Sequence, residues 1–223
     1  KYFGLFIESI YLAKKFKVMG LLKQLKEFEK RYLKGEIDNS NIAEHFESLA
    51  GHMLYGGYID VYGIFKIYIR IVEFYFHEES PEGKIRDCIV YHRNGKVSPN
   101  LPTPPFFPTM SLHAHMSGLD ITFESERGNY RGSALIRGYS VYDKSGNPIV
   151  EDATQSTYLY NYLNGFSLKE RSSIRWIDKK CKVSTEALGA HKRRNVFLYN
   201  GNGEKTDEQD TRKWSFTAAD PIK

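Results

Sequence analysis

Cysteine is scarce: the 223 residues include two, Cys88 and Cys181, far apart and in no C-x-x-C pattern. That spacing argues against a disulfide scaffold and a thiolate zinc site, and fits reduced thiols. No apolar run approaches the roughly 18 residues that span a bilayer. Lys14, Lys15 and Lys17 follow the first apolar stretch instead of preceding it, which is not a signal-peptide layout. A cytoplasmic protein with no membrane partner is the expectation. Internal repeats, low-complexity tracts and Gly-rich phosphate loops of P-loop or dinucleotide type are also missing. Aromatic side chains are plentiful: 16 Tyr, 14 Phe and 2 Trp, 14% of the chain, enough at this length to build a proper core. The formal charge of +5 and pI near 9.0 mildly favour polyanionic partners.

Leu21, Leu22, Leu25, Phe28, Tyr32 and Leu33 recur at helical spacing, and Gly35 is a plausible stop. A second helix is expected from an Asn39 or Ser40 cap through Phe46, Leu49 and Ala50. From Tyr58 to Phe76 nearly every residue is a β-former, broken at Gly63. There Phe65, Ile67, Ile69 and Ile71 form a core face that continues into Glu73, Tyr75 and His77. Residues 78–111 read as a long ordered loop with buried aromatics at Tyr91, Phe106 and Phe107. A helix is expected over Ala153–Leu163 and helical spacing over 167–190. NVFLYN and RKWSF read as strands, with a solvated loop between them.

The stretch Leu112–Tyr139 stands out. It reads as two strands joined by a charged, Gly-containing turn. The first strand carries His113, His115, Asp120, Thr122 and Glu124, and the second ends near Arg137. Asp120, Thr122 and Glu124 alternate with Leu119, Ile121 and Phe123, so one face is apolar and the other holds carboxylates and a hydroxyl. Such a polar face suits the floor of a site. Four of the seven histidines, His77, His92, His113 and His115, fall between residues 77 and 115.

The order of elements resembles a known family. AEHFESLAGHMLYGGYIDVYGIFKIYIRIVEFYFHEE is similar to the opening of the methylpurine (3-methyladenine) DNA glycosylases, where an A-x-x-L-L-G helix leads to a strand like IVETEAY. DCIVYHRNGK resembles the family's D-x-A-x-H segment and basic loop. MSLHAHMSGLDITFE resembles its Y-V-Y-x-x-Y-G-M-x-x-x-x-N strand, and GSALIRGY its V-L-L-R-A. VFLYN and RKWSF resemble the closing PRIGV and PWRFY strands. The likeness spans residues 42–217. It implies an α/β (α+β) single domain over 41–223, with a curved, mainly antiparallel sheet flanked by helices and residues 1–40 as an N-terminal helical extension. It also implies a monomeric DNA-repair enzyme that flips a damaged base out of duplex DNA and excises it without metal or cofactor.

Residue by residue, Tyr75 stands where the family has its catalytic Glu, and His77 where a stacking Tyr follows. His92 matches the pocket His, His115 a second stacking Tyr, Glu124 the pocket Asn, and Arg137 the Arg of the LLR strand. The general base has therefore moved or gone. Hydrolysis needs a carboxylate near the anomeric carbon; Asp120 is the first candidate, Glu124 the second and Glu73 the third, with His92 beside them. Glu78 or Glu79 could supply the base after a shift of the backbone. Tyr75, His77, His113, His115, Thr122 and Arg137 would bind substrate. Lys169, Arg171, Arg175, Lys179, Lys192 and Arg193 would contact the DNA backbone. Two alternatives stay open: an inactive nucleic-acid or nucleotide binding module on the same frame, and a metal-dependent hydrolase using His113, His115 and Asp120.

Overall fold

Helical spacing of apolar residues produces the first elements of the computed structural model, which describes residues 20–91, 93, 103–159, 163, 165–169, 172–179, 188–199 and 204–219. Helix α1 (Leu21–Leu33) buries Leu21, Leu25 and Phe28. Gly35, at φ +71°, turns the chain out of it while its N–H bonds the Tyr32 carbonyl, a left-handed step that glycine makes without strain. Helix α2 (Ile42–Leu54) starts after Asn41, slightly later than expected, and buries Phe46, Leu49, Ala50 and Met53.

The strands are β1 (Gly57–Val61), β2 (Phe65–Glu78), β3 (Leu112–His115), β4 (Gly118–Thr122), β5 (Tyr130–Asp143), β6 (Pro148–Ala153), β7 (Ile174–Asp178), β8 (Leu188–His191), β9 (Phe197–Tyr199), β10 (Lys205–Gln209) and β11 (Ser215–Ala218). Among the described residues all but β9 and β10 join one antiparallel sheet, curled into a half-barrel. Its spine is β2 paired with β5 from Phe65↔Asp143 to Glu78↔Tyr130, with a register irregularity between Ile69 and Val72. One end of this pair is flanked by β1, β7 and β6, the other by β11, β8, β4 and β3. The domain is single and mostly sheet, with two helices packed on it.

Phe28 lies at the centre of the core. It contacts the rings of Phe46, Phe76, Phe123 and Tyr130, and Phe46 stacks on Phe74 at 4.7 Å. Helix α1 is thus part of the domain's core. Removing a ring such as Phe28 would cost about 3–5 kcal/mol. Ile67 and Ile69 are buried as expected, but beyond the register irregularity the helix-packed residues are Val72, Phe74 and Phe76. Glu73, Tyr75 and His77 face away from that aromatic core, not along its continuation.

Several expected elements differ. The first half of the polar stretch is a hairpin, β3–β4, so three strands replace two. Within the helix expected over 153–163, Ala153 ends β6, Ser156–Leu159 form a 3-10 turn and Leu163 is helical, while residues 160–162 lie outside the described residues. Within the segment with helical spacing, Ile174–Asp178 form β7, because Ile174 and Trp176 alternate onto a buried face, and Leu188 begins β8, while residues 180–187 lie outside the described residues. Residues 205–209 pair with β9 as a strand instead of a loop. Tyr91 is 39% exposed, not buried.

Candidate functional site

Strand register carries one row of side chains across the sheet. His113 lies opposite Asp120, Asp120 opposite Leu135, Leu135 opposite Glu73, and Glu73 opposite Ser215. Registered neighbours share a face, so this row and the next, Thr122–Ser133–Tyr75, form the face turned away from the helices. Two adjoining cavities open on it. One, about 220 Å³, is lined by Tyr75, Ile89, Val90, Tyr91, His115, Met116, Ser117, Asp120 and Ser133. The other, about 290 Å³, is lined by Tyr75, Ile89, Met116, Ser117, Arg137, Gln155, Arg194, Asn195 and Val196. Four shared residues make them one cleft. A larger apolar groove, about 620 Å³, runs beside Val61, Phe65, Ile67 and Val141; no carboxylate, imidazole or guanidinium is among its described lining residues.

The cleft's cover is anchored from below. Asp87 is buried and donates its N–H to His77 Nδ1 at 3.2 Å, while its carboxylate binds Arg193. Arg193 also binds Asp210 and, at 3.1 Å, the Phe74 carbonyl, with its guanidinium 4.6 Å from the Tyr75 ring centre and 5.0 Å from that of Trp214. This network fixes the segment that carries Ile89, Val90 and Tyr91. On the other side, the β3–β4 turn projects Met116 and Ser117. Gly118 permits a close approach there: a Cβ would stand 2.5 Å from Leu135 and 2.6 Å from the Ser156 hydroxyl. That hydroxyl accepts the Leu119 N–H at 2.7 Å, which holds Gln155 beside the cleft.

Two acid-centred groups shape the floor. His115 Nε2 stands 3.1 Å from Asp120 Oδ1, and His115 Nδ1 accepts the Ser117 N–H at 3.2 Å. The accepted hydrogen bond places the proton of the neutral ring on Nε2, the nitrogen nearest Asp120. Tyr91 stacks on the His115 ring at 5.2 Å. The second group is Glu73, which accepts from the Tyr75 hydroxyl at 2.8 Å, Arg137 Nε at 2.9 Å and the Arg194 N–H at 3.3 Å. Burial, reinforced by the Glu73 charge, raises the Tyr75 phenol well above its ordinary range, so it stays protonated and donates.

The other sequence candidates lie elsewhere. Glu124 is buried under Arg131, 2.9 Å away, and accepts the Phe107 N–H at 2.7 Å. Arg131 also binds Glu79 and the Pro104 and Pro105 carbonyls, and stacks on Phe106. This clamp fastens the proline-rich segment to the sheet, so Glu124 and Glu79 serve packing. Thr122 is fully buried and donates to the Pro108 or Ser111 carbonyl. Glu78 accepts from the Tyr32 hydroxyl and the Ile85 N–H. His77 is buried outside the cleft lining, and burial above all lowers its pKa to about 4. His113 packs its ring 4.3 Å from Phe107 and lines neither cavity. Among the described residues no cluster of three or more His, Cys, Asp or Glu could hold a metal ion.

The expected DNA-backbone residues differ in exposure and partners. Arg193 is buried, Arg175 pairs with Asp60 at 3.3 Å, and Lys179 sits over Tyr68. Lys169 and Lys192 are exposed. His92 and Arg171 lie outside the described residues. Sequence reasoning missed Met116, Ser117, Ser133, Gln155 and Asn195; the Ser117-Gly118 pair was a turn signal inside a presumed strand. No helix among the described residues is long and apolar enough to cross a membrane. No protein-family model matches the chain, and no curated protein matches it.

Proposed function

We propose that the smaller cavity receives a modified or damaged base flipped out of duplex DNA, and that the protein hydrolyses its N-glycosidic bond as a monomeric, cytoplasmic repair enzyme. The observation that carries this reading is Asp120, the carboxylate in that cavity, 3.1 Å from His115 and in a lining that includes Tyr75 and Tyr91. A flat heteroaromatic base would stack on such walls. Asp120 would polarise the attacking water and stabilise positive charge developing on the sugar. His115 would act through Asp120, as a positioning residue. Tyr75, at the resembled family's catalytic Glu position, is held protonated and donates to Glu73. It cannot take the proton, which supports a base relocated to β4.

The test is an abasic-site assay. Duplex oligonucleotides carrying alkylated, deaminated or hypermodified bases are incubated with the protein, then cleaved with hot alkali. A band that disappears with Asp120→Asn supports the reading. Its absence on every substrate, or its persistence in Asp120→Asn, refutes it. A second reading, an inactive binding module, is favoured by the loss of the family's Glu at Tyr75. Salt-sensitive DNA binding without product would decide for that module.

A further inference from the structure

The two halves of the cleft carry opposite charge. The smaller cavity has Asp120 in its lining, whereas the larger has Arg137 and Arg194 and no carboxylate among its described lining residues. Arg137 sits at the register irregularity of β5, between Ile136, paired with Val72, and Gly138, paired with Ile71. Glu73 takes its Nε and is buried. Both Nη groups of Arg137 make no hydrogen bond among the described residues, and the side chain is 24% exposed. Arg194 is exposed and uses its backbone N–H on Glu73; its guanidinium makes no ion pair among the described residues. One buried carboxylate therefore balances one of two guanidinium groups, and the neighbouring Gln155 and Asn195 amides add neutral donors.

We infer that the larger cavity is a phosphate subsite, so that the cleft takes a nucleotide, base at Asp120 and phosphate between Arg137 and Arg194. Guanidinium forks match phosphate oxygens bidentately, and the shared wall of Tyr75, Ile89, Met116 and Ser117 leaves the sugar to bridge the two halves. The assignment of the base end rests on the reading above; the phosphate end rests on the two arginines alone.

The experiment uses 2-deoxyribose 5-phosphate, which has no base, in a calorimetric titration of the whole protein. Binding weakened about tenfold by Arg194→Gln and left unchanged by Arg127→Gln, an exposed arginine outside the cleft lining, is the expected result. No binding, or equal binding by Arg194→Gln, would overturn the subsite. Arg194 is exposed, so its variant keeps the fold, which melting temperature confirms. Competition separates the sources of the phosphate. Displacement at lower concentration by duplex oligonucleotide than by 2′-deoxyadenosine 5′-monophosphate assigns it to a strand, and the reverse order to a free nucleotide. Displacement by neither overturns the inference. Arg194-dependent phosphate binding together with a negative abasic-site assay would retain the subsite and reject base excision.

Discussion

Asp120 and Glu124 leave the same stretch of chain four residues apart and meet different surroundings. Glu124 lies against Arg131, whose guanidinium is also spent on Glu79 and two proline carbonyls. That carboxylate is neutralised, desolvated and closed over by the segment it anchors. Asp120 stands 3.1 Å from the His115 imidazole and borders a cavity. Burial alone does not separate them, since both are 5% exposed or less. The separation comes from what covers them: a fixed arginine clamp makes packing, while a histidine pair beside empty volume leaves room for a ligand.

Four measurements would break or sharpen this contrast. Arg131→Met strands Glu124 as a buried charge and should lower stability by about 3–5 kcal/mol, read by denaturant melts; a loss below about 1 kcal/mol would dissolve the clamp. Asp120→Asn should leave melting nearly unchanged while reducing excision at least about 100-fold, or ~2.7 kcal/mol of barrier. Equal damage to fold and activity would place Asp120 with Glu124.

The third measurement is pH. His77 has a folded pKa of about 4, below the ordinary 6.5, so the unfolded chain binds the extra proton between those values. Stability is then complete above about pH 6.5 and falls as the solution is acidified towards pH 4, by about 2 kcal/mol at pH 5. His77→Gln should flatten that slope in melts at pH 7 and pH 5; an unaltered slope would assign it to other groups. Asp210, which burial raises but Arg212 hydrogen bonds and the Arg193 charge bring down to about 2, keeps its contribution throughout that window and loses it only below about pH 4. The smallest effect is expected for Thr122→Val, which removes one buried hydroxyl bond and about 1 kcal/mol, with excision intact. Lost excision at full stability would return Thr122 to the site.

Local pattern was readable in the chain. The stripe of α1, the glycine stop at Gly35 and the two faces of residues 119–124 follow from spacing, and the structure keeps them. Asp120 and His115, named from that polar alternation, border the cleft, whereas Thr122 and Glu124 from the same alternation serve packing. What could not be read depended on partners far along the chain. Nothing near Glu124 announces Arg131, and nothing near Arg193 announces Asp87 and Phe74, so a basic residue in a basic run looked like surface. The β7 segment read as helix because its charges mask an alternation of Ile174 and Trp176 whose burial depends on β1. The register irregularity of β2 and β5, which places Arg137, has no local signal either.

The long β2–β5 pair has a kinetic consequence. Phe65 must find Asp143 and Glu78 must find Tyr130, across the whole of residues 79–129. The β3–β4–β5 meander can form early, because its turns are short and its loop-closure entropy small. Docking β2 demands a long closure before any of its contacts stabilise the chain. The cleft draws Tyr75 from β2, Asp120 from β4, and Arg194 from beyond both. A folding chain should thus acquire its aromatic hairpins first and its binding competence last. In stopped-flow refolding, tryptophan fluorescence from Trp214, which packs on Phe46 at 5.0 Å, should rise with the slow phase.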